Sequence, residues 1–430
     1  MIQDRNVSLD ANQELFFSES PDRTIAFWQQ NVPAGLSNGK QTYRRVAAFL
    51  TDPLSGQRNF KSVGLGDSIY YTAADIVRSG TVTVAVSKYH ESGGYALTVF
   101  ENRNMKGEWS APEELFVSDE RQIIRLEADS ILSGSEGKRY ILIRYRLGKV
   151  KEDLTFRLYS SDGPKLPWKF MGTVPGSDDL STFDNMSFDS SPDGKLAIAF
   201  VAYKGHLKVL ESKDRGRTWQ DLGSPKRPSV SGFRLLRRSP LVRDSMPSIR
   251  RVAGGWGLAW EAHVSVPRGI NKFDEYVDTL FARYDDSTGE WAQTVTVSEF
   301  RTIIRRKLSL FDEMGKSGVQ RIKELSEEGR GTDLRYAHLA TASTGRLAVV
   351  WRELRGEWLR AVVSISDDGG RTWSAGIVLN PLDKGDVHST RGLLSSTGDI
   401  YRAIAIMWEG RSSIQAAGNL SLKVSEIIFQ

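Results

Sequence analysis

The sequence predicts an all-β fold assembled from small antiparallel sheets, and three observations predict it. An eight-residue pattern, Ser-x-Asp-x-Gly-x-Thr-Trp, occurs twice in full, at Ser212–Trp219 and Ser366–Trp373. Runs of strand-forming residues flank both copies. A longer period is also visible: a strand, a Gly-containing turn, then a strongly apolar second strand, as in Ser187–Phe200 and Leu339–Trp351. These turns fall near Asp22, Gly80, Gly137, Gly194, Gly255, Gly345 and Gly398, and the first four intervals are about 57 residues each. Such an interval suits four strands with their loops rather than a helical solenoid.

The eight-residue pattern has a physical reading. Its Asp can accept backbone N–H groups across a turn, and its hydroxyls add further local bonds. Its Gly supplies a backbone conformation that side-chain-bearing residues disfavour. Its Trp is large enough to pin the hairpin on neighbouring structure. The motif is therefore a folding device, and neither Asp214 nor Asp368 is expected to be catalytic. Degenerate copies follow at Asp286 to Trp291, at Asn104 to Trp109, and at Ser161-Asp162-Gly163 before Trp168.

This pattern resembles the Asp-box (BNR) repeat of sialidases and their structural relatives. The resemblance implies a hairpin between the two outer strands of a β-propeller blade. The expected fold is thus all-β: a closed β-propeller of four-stranded antiparallel blades. Seven units can be counted, so seven blades are favoured; six, the number in sialidases, is the alternative. Arg5 to Leu9 is free to add the outer strand of the last blade, which would abolish the sheet edges.

One interval departs from the period. Gly255 to Gly345 is about 90 residues, and the excess lies near Glu299–Arg330. There Ile303, Ile304, Leu308 and Phe311 recur at helical spacing, as do Val319, Ile322 and Leu325. The spacing predicts a short helical insertion at about 299–330, serving as a stabilising cover or as a lid. No Pro- or Ser-rich linker divides the chain, so residues 1–430 read as a single domain.

Composition removes several function classes. Of the 430 residues 40% are hydrophobic and 10% aromatic, enough for a large core. No run approaches the roughly 18 to 20 apolar residues of a membrane span. The start, Met1-Ile2-Gln3-Asp4-Arg5, lacks the apolar centre of a signal peptide. The expected location is cytoplasmic, or secreted or periplasmic if a leader was removed. Absent cysteine excludes disulfides and thiolate metal sites, and five His without close pairs give no zinc signature. Gly-rich phosphate loops are absent too, so no cofactor is expected. The net charge is +5, with arginines clustered at Arg234, Arg237, Arg238, Arg243, Arg250 and Arg251, and again near Arg301–Lys307. A positive face favours an acidic partner such as a carboxylated glycan, and no nucleic-acid motif is present.

Chemistry in such a fold belongs where the first strands of the units converge. Family enzymes hold the substrate carboxylate with three arginines, use a Tyr activated by a Glu as nucleophile, and use an Asp as acid/base; the Tyr is an exception to the usual pair of carboxylates. The stretch Arg335-Tyr336-Ala337-His338-Leu339 through Gly345 and Trp351 to Glu353 resembles the part of those enzymes where the nucleophilic Tyr opens a strand, with Thr344 in place of an Asp. The resemblance implies Tyr336 as nucleophile and Glu261 or Glu353 as its activator. Asp129 or Asp184 is implied as acid/base, and Arg125, Arg335 and Arg391, with His338, as the groups that bind substrate. The match is incomplete. Arg125-Leu126-Glu127-Ala128, the nearest echo of the family's first arginine, comes two units too late. Met246-Pro247 stands where the family has Glu-Pro, and Glu261 where it has an arginine.

The function expected is a glycan-active enzyme, a sialidase-like glycoside hydrolase acting on an acidic sugar. The alternatives are a uronate polysaccharide lyase, using Tyr336 with His338 or His263 as base, and a non-catalytic propeller that binds carbohydrate or protein.

Overall fold

The computed structural model describes residues 2–9, 11–20, 23–37, 40–51, 60–63, 69–76, 81–89, 95–103, 110, 113–117, 123–133, 138–147, 154–163, 166–176, 186–202, 206–227, 241–269, 272–298, 302–307, 337–355, 358–379, 385–395, 397–409 and 420–429. Strand β1 (Ile2–Leu9) opens the chain and belongs to the last sheet. The first sheet is β2 (Ala11–Ser20), β3 (Arg23–Ser37), β4 (Lys40–Thr51) and β5 (Phe60–Val63). The second is β6 (Ile69–Ile76), β7 (Thr81–Tyr89), β8 (Tyr95–Arg103) and β9 (Glu113–Val117). The third is β10 (Ile123–Ser133), β11 (Arg139–Leu147), β12 (Leu154–Ser161) and β13 (Lys169–Thr173). The fourth is β14 (Met186–Ser190), β15 (Leu196–Ala202), β16 (His206–Ser212) and β17 (Gln220–Asp221).

The fifth sheet holds β18 (Leu241–Val252), β19 (Gly255–Gly269), β20 (Lys272–Asp285) and β21 (Glu290–Trp291), with β22 (Val295–Thr296) and β23 (Thr302–Lys307) both on β20. The sixth is β24 (His338–Thr341), β25 (Leu347–Arg355), β26 (Trp358–Ser366) and β27 (Ile377–Val378). The seventh is β28 (Gly385–Leu394), β29 (Ile400–Glu409) and β30 (Leu420–Ile428), and β1 pairs with β30 as its outermost strand. Among the described residues there are thus seven sheets, their strands paired in chain order except that β1 joins the last and β22 and β23 join β20 in the fifth, and no helix.

By contact the chain forms two compact units. One comprises 9–203 with 209–222 and carries the first three sheets and all of the fourth but the start of β16; the other comprises 1–8, 204–208 and 223–430 and carries the last three with β1. Each has its own core. In the first, Phe156, Leu158, Phe188, Leu196 and Phe200 pack together across the third and fourth sheets. In the second, Ala259, Phe281, Leu339, Val349 and Trp351 join the fifth sheet to the sixth, and Val350, Ala361, Tyr401 and Ala405 join the sixth to the seventh. Burying each large side chain of this kind contributes about 1.5–3 kcal/mol.

The two full hairpin motifs are bonded as their composition requires. Asp368 accepts from the N–H groups of Arg371 and Thr372 at 3.0 and 2.9 Å and from the Thr372 hydroxyl at 2.6 Å. Ser366 donates to the same carboxylate and accepts from Gly370 N–H, both at 2.8 Å. Asp214 repeats the arrangement with Ser212, Gly216 and Thr218. The motif glycine of each turn lies at positive φ, 92° at Gly216 and 93° at Gly370. Each also meets the preceding sheet: a Cβ on Gly370 would fall 2.1 Å from Phe281, and one on Gly216 2.3 Å from Leu158. Trp373 then packs edge-on against Phe281 with centroids 5.2 Å apart.

The degenerate copies keep the hairpin with different bonding. At Asp286–Trp291 the turn is held by Asp285, which accepts from Ser287, while Asp286 pairs with Arg251 at 2.8 Å. Near Trp168 the buried guanidinium of Arg139 fills the turn. It donates to Gly163 O at 2.6 Å and Ser161 Oγ at 3.1 Å, lies 4.7 Å from the Trp168 ring, and pairs with Glu101 of the neighbouring sheet. Asn104 to Trp109 lies outside the described residues.

The helical reading of 299–330 is corrected where it can be followed. Thr302–Lys307 is strand β23, with Ile303 opposite Tyr276 and Ile304 opposite Glu275. Two causes favour a strand: Thr302, Ile303 and Ile304 are all β-branched, and β20 runs far enough to offer an unpaired edge. Residues 308–330 lie outside the described residues.

Candidate functional site

The site is built in the second unit, where β18, β24 and β28, the first strands of three successive sheets, lie side by side. The Ser248 hydroxyl accepts from Leu339 N–H at 3.0 Å and joins the first two strands. Beside this bond, one guanidinium nitrogen of Arg250 lies 3.1 Å from Nε2 of His338. A guanidinium can only donate, so Nε2 carries the lone pair and the ring proton sits on Nδ1. Burial holds the His338 pKa well below its ordinary 6.5; the charges of Arg250 and Arg391 add to this, and a backbone group of Gly392 opposes it weakly. His338 is therefore a neutral imidazole between two cations. No carboxylate among the described residues pairs with Arg250, whose other contact is the carbonyl of Ile249 at 2.9 Å.

A second polar group lies on the face of the fifth sheet that looks toward the sixth. Ser245 stands opposite Glu261 in the β18–β19 register, and Arg243 opposite His263. Nε2 of His263 is 2.8 Å from Ser245 Oγ and 3.4 Å from Glu261 Oε2. Glu261 is only 1% exposed. Between Ser245 and Ser248 the ladder is interrupted by a bulge containing Met246-Pro247, and Met246 has a φ of 48°. A left-handed, unbranched non-glycine residue is uncommon and strained.

The opposite face holds Asp244. Asp244 is buried and its carboxylate is fully engaged: Arg227 donates to both oxygens, at 2.9 and 2.5 Å, Trp260 Nε1 at 3.1 Å and Leu207 N–H at 3.2 Å.

The expected site residues divide accordingly. Glu261, Glu353, His338 and Arg391 all belong to this unit. Glu353, also 1% exposed, accepts from Trp351 Nε1 at 2.9 Å. Trp351 packs on Ala259 and Phe281, so Glu353 and Glu261 lie on the facing surfaces of two neighbouring sheets. Arg125 and Asp129 lie on β10 of the other unit, Arg125 opposite Arg146 and Asp129 at a bulge between Ala128 and Ser130. Tyr336, Arg335 and Asp184 lie outside the described residues. The groups that sequence reasoning does not place in the substrate-binding set are Arg250 and Ser245. Arg250 stands in a run of arginines that reads as surface charge, and only its contact with a strand 88 residues away distinguishes it. Among the described residues, no group of His, Asp or Glu could hold a metal ion and no helix is long and apolar enough to cross a membrane.

No family model and no curated protein matches the chain. Several solved structures are similar to it. The sialidase of Trypanosoma rangeli, solved with the inhibitor DANA, aligns over 98% of this chain and 55% of its own, at 12% identity and a TM-score of 0.47. The chain thus spans about half the length of that enzyme. An ulvan lyase, a polysaccharide lyase, aligns over 78% of this chain and 79% of its own, at 13% identity and a TM-score of 0.45. The α-L-arabinofuranosidase of Fusarium graminearum aligns over 84% and 93%, at 11% identity and a TM-score of 0.43. The chemistry is read from the site's own geometry.

Proposed function

We propose that the chain is a single closed β-propeller of seven blades that acts as an enzyme on an acidic glycan. The observation that carries this reading is Arg250 beside neutral His338. A guanidinium with no acidic partner among the described residues, reinforced by the charge of Arg391, supports recognition of an anionic group such as a sugar carboxylate. The hairpin motifs support the Asp-box reading, since their carboxylates are consumed by their own turns. Tyr336, two positions before His338, is the proposed nucleophile of a sialidase-like hydrolase, with Glu261 as the carboxylate that activates it.

A second reading is favoured by the protonation state of His338. An imidazole held neutral beside guanidinium groups is suited to removing the proton next to a neutralised carboxylate, the requirement of a uronate lyase, once substrate draws Arg250 away from its Nε2 lone pair.

The test is turnover of a sialoside, a uronic-acid polymer and neutral glycosides by the wild type, Arg250→Ala and Tyr336→Phe. Acidic substrates should be turned over and neutral ones not. Arg250→Ala should raise KM about 10- to 100-fold, the value of one charge-assisted hydrogen bond. Reducing ends without an unsaturated product mark the hydrolase; an unsaturated uronate detected by ultraviolet absorbance marks the lyase. Activity that survives Tyr336→Phe rejects the nucleophile, and preference for neutral glycosides rejects the reading.

A further inference from the structure

We propose that an anion bound at Arg250 is accompanied by a proton that His338 takes up, so that the site holds its ligand more tightly as pH falls. The inference rests on the reading of Arg250 as an anion site and adds the regulation of that site.

His338 on β24 and Arg391 on β28 precede the turn glycines of their sheets, Gly345 and Gly398, by the same number of residues, so they stand at one level of neighbouring first strands. The bond from Leu339 N–H to Ser248 sets β18 beside β24 and brings the guanidinium of Arg250 to within 3.1 Å of His338 Nε2. The ring is buried.

Four strands pack against β24: β18, β19, β25 and β28. Strand β18 supplies Arg250 and β28 supplies Arg391. On β25, Val350 stands opposite His338, and Arg352 shares that face and donates to Val387 O at 3.0 Å. Glu353 shares the other face of the sixth sheet with Leu339 and Val349, and Glu261 and His263 of β19 look toward that other face. Among the described residues, the charges that act on His338 are those of guanidinium groups.

Without an anion, a second ring proton would set an imidazolium against buried cations, so Nε2 keeps its lone pair and accepts from Arg250. An anion on Arg250 reverses this. It cancels one positive charge, turns the guanidinium toward itself and offers Nε2 an acceptor. A proton from solvent then adds to the Nε2 lone pair, and the N–H so formed donates to the anion. The backbone of Gly392 already favours the charged ring. An opposite charge at this range raises proton affinity about 10- to 1000-fold. Linkage is reciprocal, so the proton strengthens anion binding by the same factor. Because the anion raises a depressed midpoint, affinity climbs as pH falls through the liganded midpoint and levels off below the unliganded one. An imidazolium cannot act as a base, so the coupling belongs with a hydrolase; a lyase needs the ring neutral in its complex.

The experiment is a 15N NMR titration of the His338 ring, assigned by loss of its signal in His338→Gln, with and without saturating glucuronate or N-acetylneuraminate. The anion should raise the midpoint by about one pH unit or more, a tenfold gain in proton affinity. Calorimetry between the two midpoints, in buffers of different ionisation heat, should count close to one proton taken up per anion bound. In His338→Gln that count should vanish, and affinity should stay level from about pH 7 to about pH 5, where the sugar carboxylate remains ionised. Binding with an unmoved midpoint and no proton uptake overturns the coupling and leaves the anion site standing. If neither sugar acid binds, the anion site is rejected and the coupling falls with it. If His338→Gln does not fold, the proton count in the wild type still decides.

Discussion

A carboxylate that ties down a turn stabilises it only while charged. Asp214 and Asp368 are held at about 2, below the ordinary 3.8, first by the hydroxyls of Thr218 and Thr372 and then by the same residues' N–H groups. Because the folded values are depressed, the contribution is complete above the unfolded value and is lost as pH falls from 3.8 toward about 2. Both carboxylates are exposed, so solvent screens the effect. Thermal unfolding midpoints measured across that window should decline, and Asp368→Asn should flatten the decline. His338 gives a second signature. Its folded value is also depressed, but as a base it stays neutral while the unfolded chain takes up a proton, so stability falls as pH drops below 6.5. Replacing it with Gln should remove that slope from a series of midpoints. At this scale the hairpin carboxylates were legible, because their partners lie within four residues. The pairing of Arg250 with His338 was not, since it depends on two strands meeting. Nor was the bulge at Met246, because no residue preference announces it.

Elements are fixed by where glycine permits contact. Gly370 needs both its φ of 93° and its missing side chain, since a Cβ there would meet the Phe281 ring. Gly370→Ala should therefore cost about 2–5 kcal/mol, combining backbone strain with overpacking, measurable as a shifted denaturant midpoint with an unchanged slope. Gly345 also lies at positive φ, 90°, but has open space around it, so Gly345→Ala should cost only the strain. The strand–turn–strand period was readable because apolar second strands such as Leu196–Ala202 are buried at every residue, a pattern that local sequence displays directly. The helical reading near 300 failed for the complementary reason. Spacing of Ile303 and Ile304 fits either element, and the deciding partner, the far end of β20, is supplied by tertiary structure.

At the scale of the whole molecule, seven sheets were legible from the recurrence of the turns, and so was the use of the first residues in the last sheet. Which first-strand side chains meet was not legible, because that depends on how far each strand extends. Strand β1 covers the outer edge of β30. Removing residues 1–9 should uncover that edge, lower the thermal midpoint by about 5 °C or more, and produce concentration-dependent association in light scattering.

That pairing also orders events in time. During synthesis β1 leaves the ribosome before every other strand of its sheet, so it must be kept from pairing wrongly until β30 emerges. Completion of the seventh sheet is then slow, because it joins distant parts of the chain.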